Sequence, residues 1–243
     1  MMLKIEVCCG SADDVSRAAL AGADRVELNS ALFAGGLTPS LGSLIQARKM
    51  VKIPIICMLR PRAGGFCYSE VEFQTMLTDI RALANAGADG FALGCLTQDG
   101  ELDRARCQGL IATAGGKEVV FHRAFDCMQT NALETLHDLA ELGFKRVLTS
   151  GRKPTAQEGR DLIRDLHAVS LIEVLPGSGI RRIDLVEFLT YTGCDQVHLT
   201  YHDLEKDLSI RNPEISFAGC TPPDDSFSVI NIAGLSHFIN QFR

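Results

Sequence analysis

The chain has little of several residue types and patterns that mark large functional classes. It contains no tryptophan and only three tyrosines among its 243 residues, and its net charge is −6 at pH 7. No run of lysine and arginine is present, so neither nucleic acid nor an anionic membrane surface is the expected partner. The amino terminus lacks the apolar stretch of a signal peptide, and no segment approaches the ~20 apolar residues of a membrane span. These absences predict a cytoplasmic protein.

Cofactor motifs and linkers are absent as well. Neither a glycine-rich dinucleotide fingerprint nor a Walker-type loop occurs, so no nucleotide cofactor is expected. No Pro/Gly/Ser-rich linker divides the chain, which predicts one domain over residues 1–243. Cysteine, in contrast, is abundant. The nine cysteines are odd in number, and several lie in or beside apolar strands, which favours reduced thiols over a disulfide framework.

One short pattern occurs four times and indicates the fold. A glycine that suits a helix C-terminus is followed within a few residues by an apolar strand, and the copies begin at Gly22, Gly87, Gly143 and Gly193. Four further strands are predicted at 3–8, 54–60, 118–123 and 171–175. Helices are predicted at 11–21, 39–50, 70–86, 103–114, 130–142, 155–168 and 182–192. Eight strands alternating with helices predict an α/β protein, a (β/α)8 TIM-type barrel, whose chemistry lies at the C-terminal strand ends.

The alternation breaks after Tyr201. A polar loop at 211–213, a turn at 221–224, a short strand at 227–230 and a final helix ending near Phe242 are predicted there. We therefore expect residues 201–243 to form a C-terminal extension after strand eight. Such a segment packs on the barrel or on a neighbouring subunit.

Polar residues within the apolar alternation of the strands are expected to point into the barrel. Strand one places Glu6 and Cys8 inside, and strand two places Glu27 and Asn29 inside. Other polar residues stand at or near the ends of strands three, five and eight: Arg60, His122, Arg123 and His198. Burying so many ionisable groups is costly without a use, so the group favours a ligand site. The alternative is that Glu6 or Glu27 pairs with an arginine in a buried, charge-neutral plug.

Two loops of small residues suggest an anion. Strand six runs into Ser150 and Gly151, and strand seven runs into a segment that contains Gly177 and Gly179. Loops at these places in such barrels commonly bind phosphate through backbone N–H groups, although the second loop could also be only a tight turn. Three arginines add support for an anionic ligand: Arg60, Arg62 and Arg123.

Several segments together resemble the CutC family, which is named for copper homeostasis. They are ADRVEL at 23–28, GGLTPS at 35–40, RPR at 60–62, FHRAFD at 121–126, RVLTSG at 146–151 and PGSGI at 176–180. The resemblance runs in order from the first strand to about His198 and is thinner in the tail. It implies a (β/α)8 barrel, a cytoplasmic location, a homodimer, and a role in copper binding and tolerance.

The sequence departs from the family pattern where copper would bind. The family commonly has Glu-Leu-Cys at the end of strand two, whereas this chain has Asn29 in the last position. Cys8 remains on the adjacent strand. Because copper(I) prefers soft sulfur ligands, the replacement of the second cysteine weakens the case for a copper ion.

Two hypotheses of different class follow. In the first, the protein handles copper, and Cys8 holds copper(I) together with His198 or Cys57. In the second, the protein is an enzyme of unknown reaction on a small phosphate- or carboxylate-bearing metabolite, with Glu27 or His122 as general acid/base. Arg60 and Arg123 would then clamp the anion, and the loops at Ser150–Gly151 and Gly177–Gly179 would hold phosphate. The sequence leaves open whether the protein is an enzyme.

Overall fold

The computed structural model describes residues 3–212, 214–216 and 224–243, and it contains the predicted (β/α)8 barrel. The barrel strands are β1 Lys4–Cys9, β2 Arg25–Leu28, β3 Ile55–Met58, β4 Gly90–Leu93, β5 Glu118–Phe121, β6 Arg146–Thr149, β7 Glu173–Pro176 and β8 Gln196–Leu199. All pair in parallel in the order β7-β6-β5-β4-β3-β2-β1-β8. β7 and β8 contact each other without a hydrogen-bonded ladder, so the barrel is nearly closed.

The helices follow the strands as the sequence predicts, with small differences at their ends. They are α1 Ala12–Ala21, α2 Leu41–Met50, α3 Glu70–Asn85, α4 Arg104–Thr113, α5 Ala132–Leu142, α6 Arg160–Val169, α7 Leu185–Thr192 and α8 Ile232–Asn240. Helix α7 begins later than predicted because Asp184 caps it, accepting a hydrogen bond from the Glu187 N–H at 3.0 Å. Gly22, Gly143 and Gly193 end their helices in the left-handed conformation, with φ of 99°, 94° and 76°.

The strands have an apolar core on each of their two sides. Ile5 and Val7 face the large outer core between strands and helices. A smaller inner core fills the barrel on the side of β3 to β7 and consists of Ile56, Met58, Ala92, Val120, Leu148 and Leu175. On β1, β2 and β8, the inward positions are polar instead, and this difference places the candidate site.

The segment after β8 returns to the barrel. Strands β9 (His202–Lys206) and β10 (Ser226–Ile230) form an antiparallel pair, and α8 packs against α1. The Ile230 N–H donates to Asp14 Oδ1 at 2.8 Å, which ties β10 to α1. β10 covers the predicted strand at 227–230, whereas β9 had no counterpart in the sequence prediction. Pro213 and most of the predicted turn at 221–224 lie outside the described residues.

None of the helices in the described part of the chain is long and apolar enough to cross a membrane.

Candidate functional site

The mouth cavity, as we name it, lies among the C-terminal ends of the barrel strands and has a volume of about 230 Å³. It is lined by Cys8, Glu27, Asn29, Leu32, Gly35, Met58, Arg60, Phe66, His122, Arg123, Leu148, His198 and Thr200. Six residues that the sequence analysis selected therefore come together here: Cys8, Glu27, Arg60, His122, Arg123 and His198. Apolar side chains from the inner core and from Leu32 and Phe66 complete the wall.

Three of these side chains form a cluster that can hold a metal ion. The Cys8 thiol, a Glu27 carboxylate oxygen and a His198 ring nitrogen all lie within 4.8 Å of one another, and all three residues are buried. His198 Nδ1 is 2.8 Å from Glu6 Oε1, which leaves Nε2 of the ring available to an ion. A carboxylate behind a histidine commonly fixes the tautomer of a metal-binding imidazole. Glu27, expected as an acid/base, thus also belongs to the candidate metal ligands.

Asn29 holds this cluster together from one side. Its Nδ2 donates to Glu27 Oε2 at 2.9 Å and lies 3.4 Å from Cys8 Sγ. The amide nitrogen, which carries no free lone pair for a metal, is therefore the atom that faces the thiol. At the position of the family cysteine, this chain presents a hydrogen-bond donor instead of a second thiolate.

The charges around the cluster set its protonation. Burial raises the pKa of Glu6, but Arg25 and His198 outweigh burial and hold that pKa well below its usual range. Burial raises the pKa of Glu27, assisted by the Glu6 charge. Burial and the Glu27 carboxylate raise the pKa of the Cys8 thiol well above its ordinary value. The thiol is therefore protonated at rest, and a metal ion has to displace its proton.

His198 itself lies between two carboxylates. Burial lowers its pKa, but Glu27 and Glu6 outweigh burial, and the net effect is a raised pKa. His122 differs because, in the part of the chain that the structure describes, its charged neighbour is Arg60 and not a carboxylate. Burial and the neighbouring Arg60 charge lower the pKa of His122 to about 3, so its ring is neutral at pH 7.

Below the mouth, the barrel floor is a network of ion pairs. Glu6 pairs with Arg25, and the buried Arg146 pairs with Glu118 and, at 2.9 Å, with Glu173. The buried ion pair considered as an alternative thus exists for Glu6, but its partner is Arg25, which sequence reasoning missed. Arg25 precedes the outward Val26, so the same alternation could have indicated its inward direction.

Arg60 reaches the cavity from the end of β3 and holds loops by their carbonyl groups. Its Nη1 donates to the carbonyl oxygens of Ala34 at 2.8 Å and Gly36 at 3.0 Å, and its Nη2 donates to Gly64 O at 2.6 Å. Its guanidinium lies over the Phe66 ring, 5.4 Å from the ring centre. Arg60 forms no ion pair with any carboxylate of the described residues, so it is not part of the floor network.

The predicted anion loop after β6 is already filled by a side chain that the sequence analysis did not select. Asp126 Oδ2 accepts from the Ser150 N–H at 3.0 Å and from Arg123 Nε at 2.8 Å. Its Oδ1 accepts from the Arg152 N–H at 3.1 Å, and the Gly151 N–H donates to Thr149 Oγ1. The Ser150 N–H therefore binds a resident carboxylate and the Gly151 N–H binds the Thr149 hydroxyl, so neither N–H group is free for a phosphate.

The loop after β7 adjoins a second cavity of about 400 Å³. This basic cavity, as we name it, is lined by Arg123, Thr155, Ser178, Gly179, Ile180, Arg181, Arg182, His198, Leu199 and Thr200. Gly179 of the predicted phosphate loop thus lines this cavity, whereas Gly177 does not. Arg62 lines neither cavity, because it turns outward to an ion pair with Glu72.

Fold and site together define the class: a (β/α)8 barrel with a buried Cys–Glu–His cluster at its C-terminal mouth. A family model described as the CutC family matches residues 3–203, and the chain belongs to this family. The resemblance seen in the sequence is thereby confirmed, and with it the assignment to the copper homeostasis family.

Individual relatives agree over most of their length. A CutC family protein from Treponema denticola is 46% identical over 237 residues, which is 96% of this chain and 95% of the relative. A copper homeostasis protein cutC homolog from Drosophila melanogaster is 42% identical over 83% of this chain and 78% of the relative. The crystal structure of a CutC protein from Streptococcus agalactiae superposes with a TM-score of 0.76 at 30% identity, covering 82% of this chain and 98% of that chain.

A more distant structure shares the fold alone. Phosphonopyruvate hydrolase matches 81% of this chain and 75% of its own, with a TM-score of 0.61 and 17% identity.

Proposed function

We propose that this CutC family member binds a copper ion at the cluster of Cys8, Glu27 and His198 and serves copper homeostasis through that site. The observation that carries the proposal is the convergence of one thiol, one carboxylate and one imidazole within 4.8 Å in a buried cavity. The name of the Drosophila melanogaster relative supports copper as the ion. A cytoplasmic location and a homodimer remain predictions that accompany this proposal.

The donor atoms fit copper in part. A thiolate and an imidazole suit copper(I), whereas a carboxylate is a harder ligand that suits it less well. Asn29 contributes no second thiolate. We therefore expect copper(I) to bind, but more weakly than at a site with two thiolates.

The surrounding residues supply the proton chemistry that loading requires. The thiol of Cys8 loses its proton when a metal binds. Glu27 Oε2 lies 3.8 Å from Cys8 Sγ and accepts the hydrogen bond of the thiol, so it can take up that proton, pass it on and then bind the ion as a carboxylate. Glu6 meanwhile keeps His198 oriented through the 2.8 Å contact with Nδ1.

A competition titration tests the proposal. Copper(I) is titrated anaerobically against a chromogenic chelator, with wild type compared to Cys8→Ser and to the control Cys57→Ser, whose buried thiol belongs to the outer core. We expect Cys8→Ser to weaken copper(I) binding at least tenfold and Cys57→Ser to leave it unchanged. The change Asn29→Cys should strengthen binding, because it adds a soft ligand. Equal affinity of wild type and Cys8→Ser would rule out this cluster as the copper site.

A second candidate is an enzyme that acts on a small anionic metabolite. It is favoured by the basic cavity, which carries Arg123 and Arg181 and shares Arg123, His198 and Thr200 with the mouth cavity. A buried Glu27 with a raised pKa next to an anion site suits general acid/base chemistry. If inorganic phosphate stabilises wild type against thermal unfolding and does not stabilise Arg181→Gln, this candidate is supported. If phosphate does not stabilise wild type, a phosphate site in the basic cavity is ruled out.

A further inference from the structure

We infer that the mouth cavity binds a small organic carboxylate, whose oxygens accept hydrogen bonds from His122 and Arg60 and whose apolar body packs against the inner core. This inference goes beyond copper binding, since it uses residues of the cavity other than the Cys8, Glu27 and His198 cluster.

The tautomer of His122 gives the first step. The ring is buried, with 2% of the residue exposed, and its Nδ1 accepts a hydrogen bond from the Ala124 N–H at 3.3 Å. An imidazole nitrogen that accepts carries no proton, so the proton of this neutral ring is on Nε2. Among the described residues, Nε2 has no hydrogen-bond partner. A buried donor without an acceptor is costly, and a ligand oxygen would remove that cost.

Arg60 gives the second step. The residue is 7% exposed, and its Nη groups are taken up by backbone carbonyls, whereas its Nε has no partner in the described part of the chain. Those carbonyls are neutral acceptors, and none of the carboxylates in residues 3–212, 214–216 and 224–243 forms an ion pair with this buried positive charge. Buried charges in proteins are normally paired, and an anionic ligand would supply the missing partner.

Shape and chemistry select a carboxylate among anions. Besides these two N–H donors, the wall carries the polar side chains of Asn29, Arg123 and the Cys8, Glu27 and His198 cluster, and it offers the body of a ligand the apolar side chains of Leu32, Met58, Phe66 and Leu148. Two unpaired donors match the two oxygens of a carboxylate, whereas a phosphate group needs more donors. A volume of about 230 Å³ lies below the usual range for drug-sized ligands, which indicates a molecule of a few carbons.

The test uses isovalerate, a branched five-carbon carboxylate, and the metal-free, reduced protein. Isovaleramide serves as the neutral control of the same shape, and inorganic phosphate serves as the other class of anion. Binding is measured by calorimetry on wild type and on His122→Asn, since the Asn oxygen can still accept from the Ala124 N–H while the Nε2–H donor is lost. Arg62→Lys and Arg60→Lys form a matched pair, because Arg62 lies outside the cavity.

We expect saturable binding of isovalerate to wild type, at least tenfold weaker binding of isovaleramide, and at least tenfold weaker isovalerate binding in His122→Asn and Arg60→Lys. Arg62→Lys should bind like wild type. If a variant fails to fold, nitrogen-15 NMR of wild type decides: the His122 Nε2–H signal should shift when isovalerate is added.

Three results would overturn the inference. They are equal binding of acid and amide, binding of phosphate alone, and an Nε2–H signal that isovalerate does not move. Because no copper is present, a failure of the copper proposal leaves these outcomes unchanged, and loss of isovalerate binding leaves the copper titration unchanged.

Discussion

The change Asp126→Ala removes the carboxylate that fills the loop after β6. Asp126 is nearly buried, with 8% of its side chain exposed, and it links Arg123 to the loop at Ser150. Without it, the Ser150 and Arg152 N–H groups and the Thr149 hydroxyl lose their acceptor. Since Arg123 Nη2 also donates to Ser150 Oγ at 2.9 Å, the loop holds a side chain that lines the basic cavity.

The expected loss of stability follows from these three donors. Each hydrogen bond contributes at least about 1 kcal/mol because its acceptor is charged, so their loss lowers the free energy of unfolding by at least about 3 kcal/mol. The ion pair with Arg123 adds little, because 44% of the Arg123 side chain is exposed. For a chain of this length, about 3 kcal/mol corresponds to a melting temperature roughly 6–12 °C lower.

Thermal melts followed by circular dichroism measure this loss, with Asp138→Ala as the control. Asp138 is also paired with an arginine, Arg104, but both side chains are 45% exposed, so its removal should cost about 0–1 kcal/mol. Sodium formate, compared with sodium chloride at the same ionic strength, should restore part of the stability of Asp126→Ala and none of that of Asp138→Ala. Melting temperatures that fall equally in the two variants would refute the role assigned to Asp126.

Two further predictions concern stability. Burial raises the pKa of Asp14, but the contact with His202 and the hydrogen bond from the Ile230 N–H outweigh burial, and the net effect is a lowered pKa. The ionised Asp14 therefore stabilises the fold above its ordinary pKa of 3.8, and this stabilisation is lost as pH falls below that value. In urea denaturation at pH 7, the free energy of unfolding of Asp14→Ala should be about 2 kcal/mol lower than that of wild type, and this difference should shrink below about pH 4. A difference that does not change with pH would contradict the prediction. Gly90→Ala places a Cβ atom 2.6 Å from the Glu118 carbonyl oxygen of the neighbouring strand, which cannot easily move, and should cost about 1–3 kcal/mol, which an unchanged melting temperature would disprove.

Much of the barrel could be predicted because its signals are local. The glycines that end helices and the apolar alternation of the strands are read over a few residues, and the outward Ile5 and Val7 correctly placed Glu6 and Cys8 inside. The same alternation predicted that Glu27 and His198 point into the barrel, and both line the mouth cavity. Periodicity is sufficient for these positions since a barrel strand has only two faces.

The partners of the site residues could not be predicted, because they come from distant parts of the chain. Arg60 binds backbone carbonyls in two loops, which no residue pattern reveals. Asp126 fills a loop that begins 24 positions later at Ser150, where a bound phosphate had been expected. Residue types near a strand end therefore indicate that a site exists, whereas its unpaired donors depend on how the loops fold over it.

The most direct test of the copper site is anomalous diffraction at the copper edge from crystals of the reduced protein loaded with copper(I). We expect a strong anomalous peak within the mouth cavity, within bonding distance of Cys8 Sγ and His198 Nε2. The Cys8→Ser protein, loaded in the same way, should lack that peak. Copper bound only elsewhere, for example at the exposed Cys127, would contradict a copper site at Cys8, Glu27 and His198.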